Sequence, residues 1–289
     1  MTGVVTIPPG ACDCHVHLFG PAEAFPFAES RVYTPGNAQE DALLALHERL
    51  GISRVVLVQP SPYGSDNSRL LAGLARLGSR ARAVAVIEAD TPEKTLTRLS
   101  KAGVRGLRLN VDTHGVSDPE VIWASLSKAS ARCASLRWHT QILTRLSVIE
   151  ALERHMAKLP APLVIDHFGR PDIDQGVGQP GFPSLLRLMR TGQVWVKLSS
   201  IGRLCGADQD RIAPFVQALV DAGADRLIWG SDWPHTGGGR GGRPASAVEP
   251  FAQVDDTESL AALARAVGDA ATLRRILVDN PAQLYGFEG

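Results

Sequence analysis

Two apolar patterns alternate along the chain. Short runs rich in β-branched residues, at 53–60 ("SRVVLVQP"), 82–90, 103–111, 136–142, 162–169, 193–200 and 225–232, read as strands. Between them, 37–51, 66–78, 91–103 and 210–223 carry apolar residues every three or four positions and end in Gly, which reads as helices with their stop signals. A further strand opens the chain at "ACDCHVHLFG" (11–20). Eight strands interleaved with helices are the pattern of parallel βα units. At this count and length they predict an α/β protein folded as a (β/α)8 TIM barrel. No linker or low-complexity stretch interrupts the pattern, so residues 1–289 are expected to form a single domain.

The opening strand spends unusual positions on polar residues. Strict alternation places Asp13, His15 and His17 on one face and Cys14, Val16 and Leu18 on the other. On a solvent-facing sheet such a row needs no function. A barrel changes this, because the carboxyl ends of its strands surround one mouth whatever their separation in sequence. Those ends carry His15, His17, Gln59, Arg108, Asn110, His139, Gln141, His167, Lys197, Ser199 and Asp232. Packed strand ends are otherwise rich in Val, Ile and Leu, so this polar crown marks a candidate site.

Composition narrows the chemistry. With 44% hydrophobic residues the chain can bury a sizeable core, and 30 basic against 30 acidic groups leave no global charge to draw nucleic acid or an anionic membrane. Anion binding must be local. No basic segment followed by an apolar run opens the chain and no stretch of about 18 apolar residues occurs, so a cytoplasmic protein is expected. Four cysteines are too few and scattered for a disulfide framework; Cys12 and Cys14 are expected as core thiols on the face opposite the histidines.

The residue types of the crown suit hydrolysis, which needs a base for water, donors for an oxyanion and groups that fix the substrate. Asp232 is the candidate base, and His15, His17 and His167 can donate to the carbonyl oxygen or hold a cation against it. Arg105 and Arg108 are three apart, so one of them, Arg108, is expected in the mouth beside Asn110. Arg170 and Arg203 follow strands six and seven, and two or three guanidinium forks imply a substrate with more than one carboxylate. His139, Gln141, Lys197, Ser199, Gln59, Ser61 and His235 complete the expected substrate contacts. Ser61 and Ser199 lack a G-x-S-x-G setting, which argues against a serine nucleophile. The segment "TGGGRGGRP" (236–244) lacks the ending of a P-loop and reads as a mobile loop over the mouth and a candidate lid. His47 and His155 fall in helical segments, His114 in a loop, and Trp233 is expected to pack.

H-x-H after strand one, His139, His167 and Asp232 together resemble the amidohydrolase superfamily. The phrases "VLVQPSPYGSDN" (56–67), "GVRGLRLN" (103–110), "VIDHFGRPD" (164–172), "VWVKLSSIGR" (194–203) and "WGSDWPHT" (229–236) resemble its lactonase branch, which includes 2-pyrone-4,6-dicarboxylate lactonases and sugar-acid lactonases. The resemblance implies a TIM barrel that hydrolyses a carboxylated lactone without a required cofactor. Metal-binding relatives bridge two ions with a carboxylated Lys or a Glu at strand four, where this chain reads "GLRLNVD". If one metal such as zinc binds, His15, His17 and Asp232 are the candidate ligands. A metal-dependent decarboxylase of the same superfamily, a lactone isomerase and a non-catalytic binder are the alternatives. The expected partner is a small anionic lactone, with no nucleic acid or membrane, and a homo-oligomer is compatible with this reading.

Overall fold

The computed structural model describes residues 6–113, 115–237 and 243–288; His114 and the centre of the Gly-rich segment, 238–242, lie outside them. Eight parallel strands form one sheet in sequential order: β1 (Cys12–Val16), β2 (Arg54–Val58), β3 (Ala81–Ala85), β4 (Val104–Asn110), β5 (His139–Leu143), β6 (Leu163–Ile165), β7 (Val194–Ser199) and β8 (Leu227–Gly230). The ring closes where the segment after β8 returns to β1: Asp232 N–H donates to His15 O, and His17 N–H donates to Trp233 O, both at 2.9 Å. The fold is the TIM barrel expected from the alternation.

Helices cover the outside, among them α1 (Glu40–Leu50), α2 (Ser68–Leu77), α3 (Glu93–Ala102), α4 (Pro119–Leu136) and α5 (Leu146–Met156). Two of the four stop signals, Gly51 and Gly103, close α1 and α3 in left-handed conformations, which cost glycine no Cβ clash. The outward positions of the strands, such as Val55, Leu57, Leu107, Val194 and Val196, pack on these helices. The inward positions form a separate cluster of Cys12, Cys14, Val56, Val58, Val84, Val164, Trp195 and Ile228, with Tyr285 and Phe287 beneath them. This interior plug fills the lower barrel and leaves the polar layers above it.

Strand β1 departs from strict alternation. Asp13 pairs with Val55 and Val16 with Leu57, three residues against two, so the strand carries a β-bulge. Cys12 and Cys14 consequently point inward, as His15 and His17 do, while Asp13 points outward with Val16 and Leu18. Two expectations are therefore corrected: Asp13 does not share the face of the histidines, and the two thiols are not opposite them. Asp13 instead ties β1 to its surroundings, accepting from Ser231 Oγ at 2.6 Å, from Ser231 N–H at 2.9 Å and from His15 N–H at 3.1 Å, with His47 Nε2 of α1 at 3.4 Å. All four cysteines are buried and free.

Candidate active site

The mouth is a polar cavity lined by His17, Ser61, Arg108, Asn110, His167, Arg170, Arg203 and Asp232, together with Tyr33, Pro60, Thr113, Leu143, Ser200, Leu204 and Thr236. Asp232 sits at its base. The Nε2 atoms of His15, His17 and His167 each lie 3.8 Å from Asp232 Oδ1, so three imidazoles from two strand ends converge on one carboxylate oxygen. The other oxygen accepts from Ser200 Oγ at 2.9 Å and faces Arg203 Nη1 at 3.6 Å. Left-handed backbone at His167 (φ 51°), Phe168 (φ 57°), Ser200 (φ 66°) and Asp232 (φ 70°) makes this convergence possible. It ends the strand alternation abruptly, and neighbouring residues such as Asp166 and His167 can both face inward.

Hydrogen-bond directions fix most proton positions. The carbonyl of Val58 can only accept, so His17 Nδ1, 2.8 Å away, carries a proton. In a neutral ring His17 Nε2 is then an acceptor for His15 Nε2–H at 3.3 Å, while His15 Nδ1 lies 3.3 Å from both Lys197 Nζ and Asp166 Oδ1. Burial, reinforced by nearby cations, keeps these rings neutral: it lowers His15 well below its ordinary value, together with Lys197, and it brings His17 down to about 4, together with Arg108. His167, whose Nδ1 lies 2.7 Å from Ser199 Oγ, is also lowered by burial. Burial alone would raise the Asp232 carboxyl, but His167, His15, Arg203 and His17 outweigh it and hold the group well below the usual carboxylate range. Asp232 is an anion at neutral pH.

Below this layer lies a residue the sequence reading passed over. Asp166 is fully buried and accepts from Gln141 Nε2 at 3.0 Å and from Arg108 Nε and Nη2 at 3.3 Å, with His15 Nδ1 at 3.3 Å and Lys197 Nζ at 3.5 Å. Although burial alone would raise its carboxyl, His15, Lys197 and Arg108 hold it well below the carboxylate range. The signal was present in "VIDHFG": an acid directly after a fully apolar strand must find a buried partner. Lys197, itself fully buried, also donates to Gln141 Oε1 at 2.8 Å. Lys197 and Gln141 thus belong to a layer that supports His15 and Arg108, rather than lining the cavity.

Other expected contacts are placed elsewhere. His139 is the first residue of β5, not its last; it stands edge-on to Tyr285 at 5.1 Å in the lower barrel, and burial brings it down to about 3. His235 turns away to Asp256, 3.1 Å from Nε2. Gln59 spends its amide on Gly64 O (3.1 Å) and Asp66 O (2.8 Å), bracing the turn that carries Ser61. Its outward parity after Val58 explains why it leaves the mouth. Arg108 faces inward as expected, whereas Arg105 bonds Ser100 O and Val104 O. His47 is buried against Asp13, and His155 packs on Trp123. Trp233 packs between core clusters. The lid expected at 236–244 lies largely outside the described residues; its first residue, Thr236, lines the cavity.

The His15, His167 and Asp232 donor atoms all lie within 4.8 Å of one another, with His17 adjacent. Imidazole nitrogens and a carboxylate oxygen in this grouping suit a single divalent ion such as zinc. A second ion would need a bridging group, and β4 supplies Arg108 and Asn110 at that place.

A family model described as amidohydrolase matches residues 12–287. The chain belongs to the amidohydrolase family. This amidohydrolase is 37% identical over 290 residues to the 4-sulfomuconolactone hydrolase of Rhizobium radiobacter, an alignment covering 97% of this chain and 91% of that protein. It is 34% identical over 291 residues to the 2-pyrone-4,6-dicarboxylate hydrolase of Comamonas testosteroni, covering 96% and 91%. A crystal structure of the "probable 2-pyrone-4,6-dicarboxylic acid hydrolase" of Acinetobacter baumannii, with citric acid bound, superposes with a TM-score of 0.81 at 26% identity, covering 96% of this chain and all of that one.

Proposed function

We propose that this amidohydrolase hydrolyses a carboxylated lactone, with Asp232 as general base. The observation that carries the reading is the convergence of three neutral imidazoles and Arg203 on the Asp232 carboxylate at the floor of a cationic cavity. Names of relatives that cover nearly the whole chain support the substrate class.

In this mechanism the lactone carbonyl enters over the histidines, and Asp232 takes a proton from water as the water oxygen bonds the carbonyl carbon. The His15 and His167 rings, whose protons are not committed to a backbone carbonyl as that of His17 is, donate to the resulting oxyanion. Collapse breaks the ring C–O bond, and the proton on Asp232 passes to the leaving alkoxide. A carboxylate held so far below its ordinary range is a weak base in the resting site. A developing negative charge a few ångströms away raises its proton affinity when it is needed. Arg203 holds the substrate's carboxylate, with Arg170 and Arg108 lining the same cavity and Asn110 and Ser61 as polar contacts, while Ser199, buried against His167 Nδ1, supports that ring. A divalent ion would be held by His15, His167 and Asp232, with His17 adjacent, and would supply Lewis-acid polarisation of the carbonyl. A cytoplasmic location and a small anionic lactone as partner, with no nucleic acid or membrane, belong to the same proposal.

The test is a panel of carboxylated lactones, with metal analysis of the same sample and product identification. Ring-opened acid is expected, and Asp232→Asn should lower kcat at least ~100-fold with KM little changed. Carbon dioxide release dependent on zinc, or a rearranged lactone as product, would replace this reading with decarboxylation or isomerisation.

A further inference from the structure

The guanidinium groups around the mouth are not equally available. Arg108 is engaged from below by Asp166. Arg203, about one-third exposed, has Asp232 at 3.6 Å, beyond a hydrogen bond. Arg170 lines the cavity beside it, but its Nη1 donates to Asp112 Oδ2, while Asp112 Oδ1 accepts from Arg145 Nε at 2.5 Å. The Asp112 side chain is only 7% exposed, against 39% for Arg170 and 65% for Arg145, so it acts as an internal counter-ion rather than a surface acid. Its neighbours Asn110 and Thr113 line the cavity on either side. The chain thus places its own carboxylate against the guanidinium that would receive a substrate's second anionic group.

We infer that Asp112 is a specificity-determining residue that occupies the anion-binding capacity of Arg170, so that the site selects lactones bearing one carboxylate over those bearing two. The inference rests on the carboxylated-lactone reading and narrows it. A second carboxylate reaching Arg170 must displace Asp112 or lie beside it, and two carboxylates sharing one guanidinium repel each other. Arg203 has its own carboxylate neighbour, Asp232, but at 3.6 Å rather than in a hydrogen bond, so a single substrate carboxylate can take its N–H groups without displacing that acid. This departs from the multiply carboxylated substrate that the count of arginines alone suggests.

Asp112→Asn removes the charge and keeps an acceptor oxygen; Asp112→Ser is a second variant should the first fail to fold. Two selectivity ratios are measured for each protein. One is kcat/KM for a matched pair of six-membered lactones carrying one or two carboxylates. The other, independent of turnover, is Kd for benzoate against benzene-1,3-dicarboxylate by titration calorimetry. Wild type is expected to favour the monoanion in both pairs, and either variant should move both ratios toward the dianion by roughly tenfold or more. Unchanged ratios, or a variant that loses dianion affinity, would overturn the inference, because Asp112 would then orient Arg170 for substrate. A shift in acid binding without turnover of either lactone would reject the lactonase reading and keep the role of Asp112. Failure of wild type to bind either acid would reject that role directly.

Discussion

Asp166→Asn keeps the shape of the layer beneath the mouth but removes the charge on which Arg108, Lys197 and Gln141 converge. Arg108 and Lys197 are 5% and 0% exposed, so neither cation can turn to water once its partner is gone. Breaking a buried pair by removing one member costs ~3–5 kcal/mol. Lys197 can relieve part of this by releasing its proton, since burial already lowers its affinity, which favours the lower half of that range. At roughly 2 °C per kcal/mol for a chain of this size, Tm in scanning calorimetry should fall by about 6–8 °C. Activity should fall too, because Asp166 and Lys197 together position His15. The sign with pH follows from a depressed carboxyl: its stabilisation is fully present above the unfolded value near ~4 and is lost as pH falls through the folded value. The gap between wild type and variant in denaturant midpoint should thus be constant from about pH 5 to 8 and shrink below about 4. In Asp166→Asn/Lys197→Met one stranded cation is gone, and at least ~1 kcal/mol should return. A Tm loss under about 2 °C, or strictly additive effects in the double variant, would refute the view that Asp166 neutralises this layer.

Arg203→Met should lower kcat/KM ~10- to 150-fold on carboxylated lactones, with partial recovery in Arg203→Lys; equal loss on an uncarboxylated analogue would mean that Arg203 supports the rim instead. His139→Leu should leave kcat within about threefold of wild type, since neither ring nitrogen makes a hydrogen bond of good geometry among the described residues and the ring lies below the site; a tenfold loss in steady-state assays would return His139 to the substrate contacts. The buried neutral histidines should make stability decline as pH falls from ~6.5 toward 4, because the unfolded chain binds the protons that His15, His17, His139 and His167 refuse. His17, brought down to about 4, contributes on the order of 3 kcal/mol of this; a flat denaturant midpoint over that range would contradict neutral burial.

Local patterning along the chain already specifies the barrel and much of its mouth. Strand runs and helix periods with Gly stops are local properties of the chain, so the eight βα units could be read directly, and with them His15, His17, Arg108, His167, Arg203 and Asp232 at strand ends. Tertiary structure decided which way residues point and what they meet. The β1 bulge, set by pairing with β2 some forty residues on, moves Asp13 to the outer face and both thiols inward, and no alternation rule foresees an inserted residue. Stagger places His139 at the start of its strand, one layer too low to reach the cavity. Left-handed residues after β6 let Asp166 and His167 face inward together, and only the closed barrel brings Arg108, Gln141 and Lys197 from three other strands onto that one carboxylate. Such partners lie tens of residues apart, and their meeting depends on register and closure, which are properties of the assembled sheet rather than of any segment.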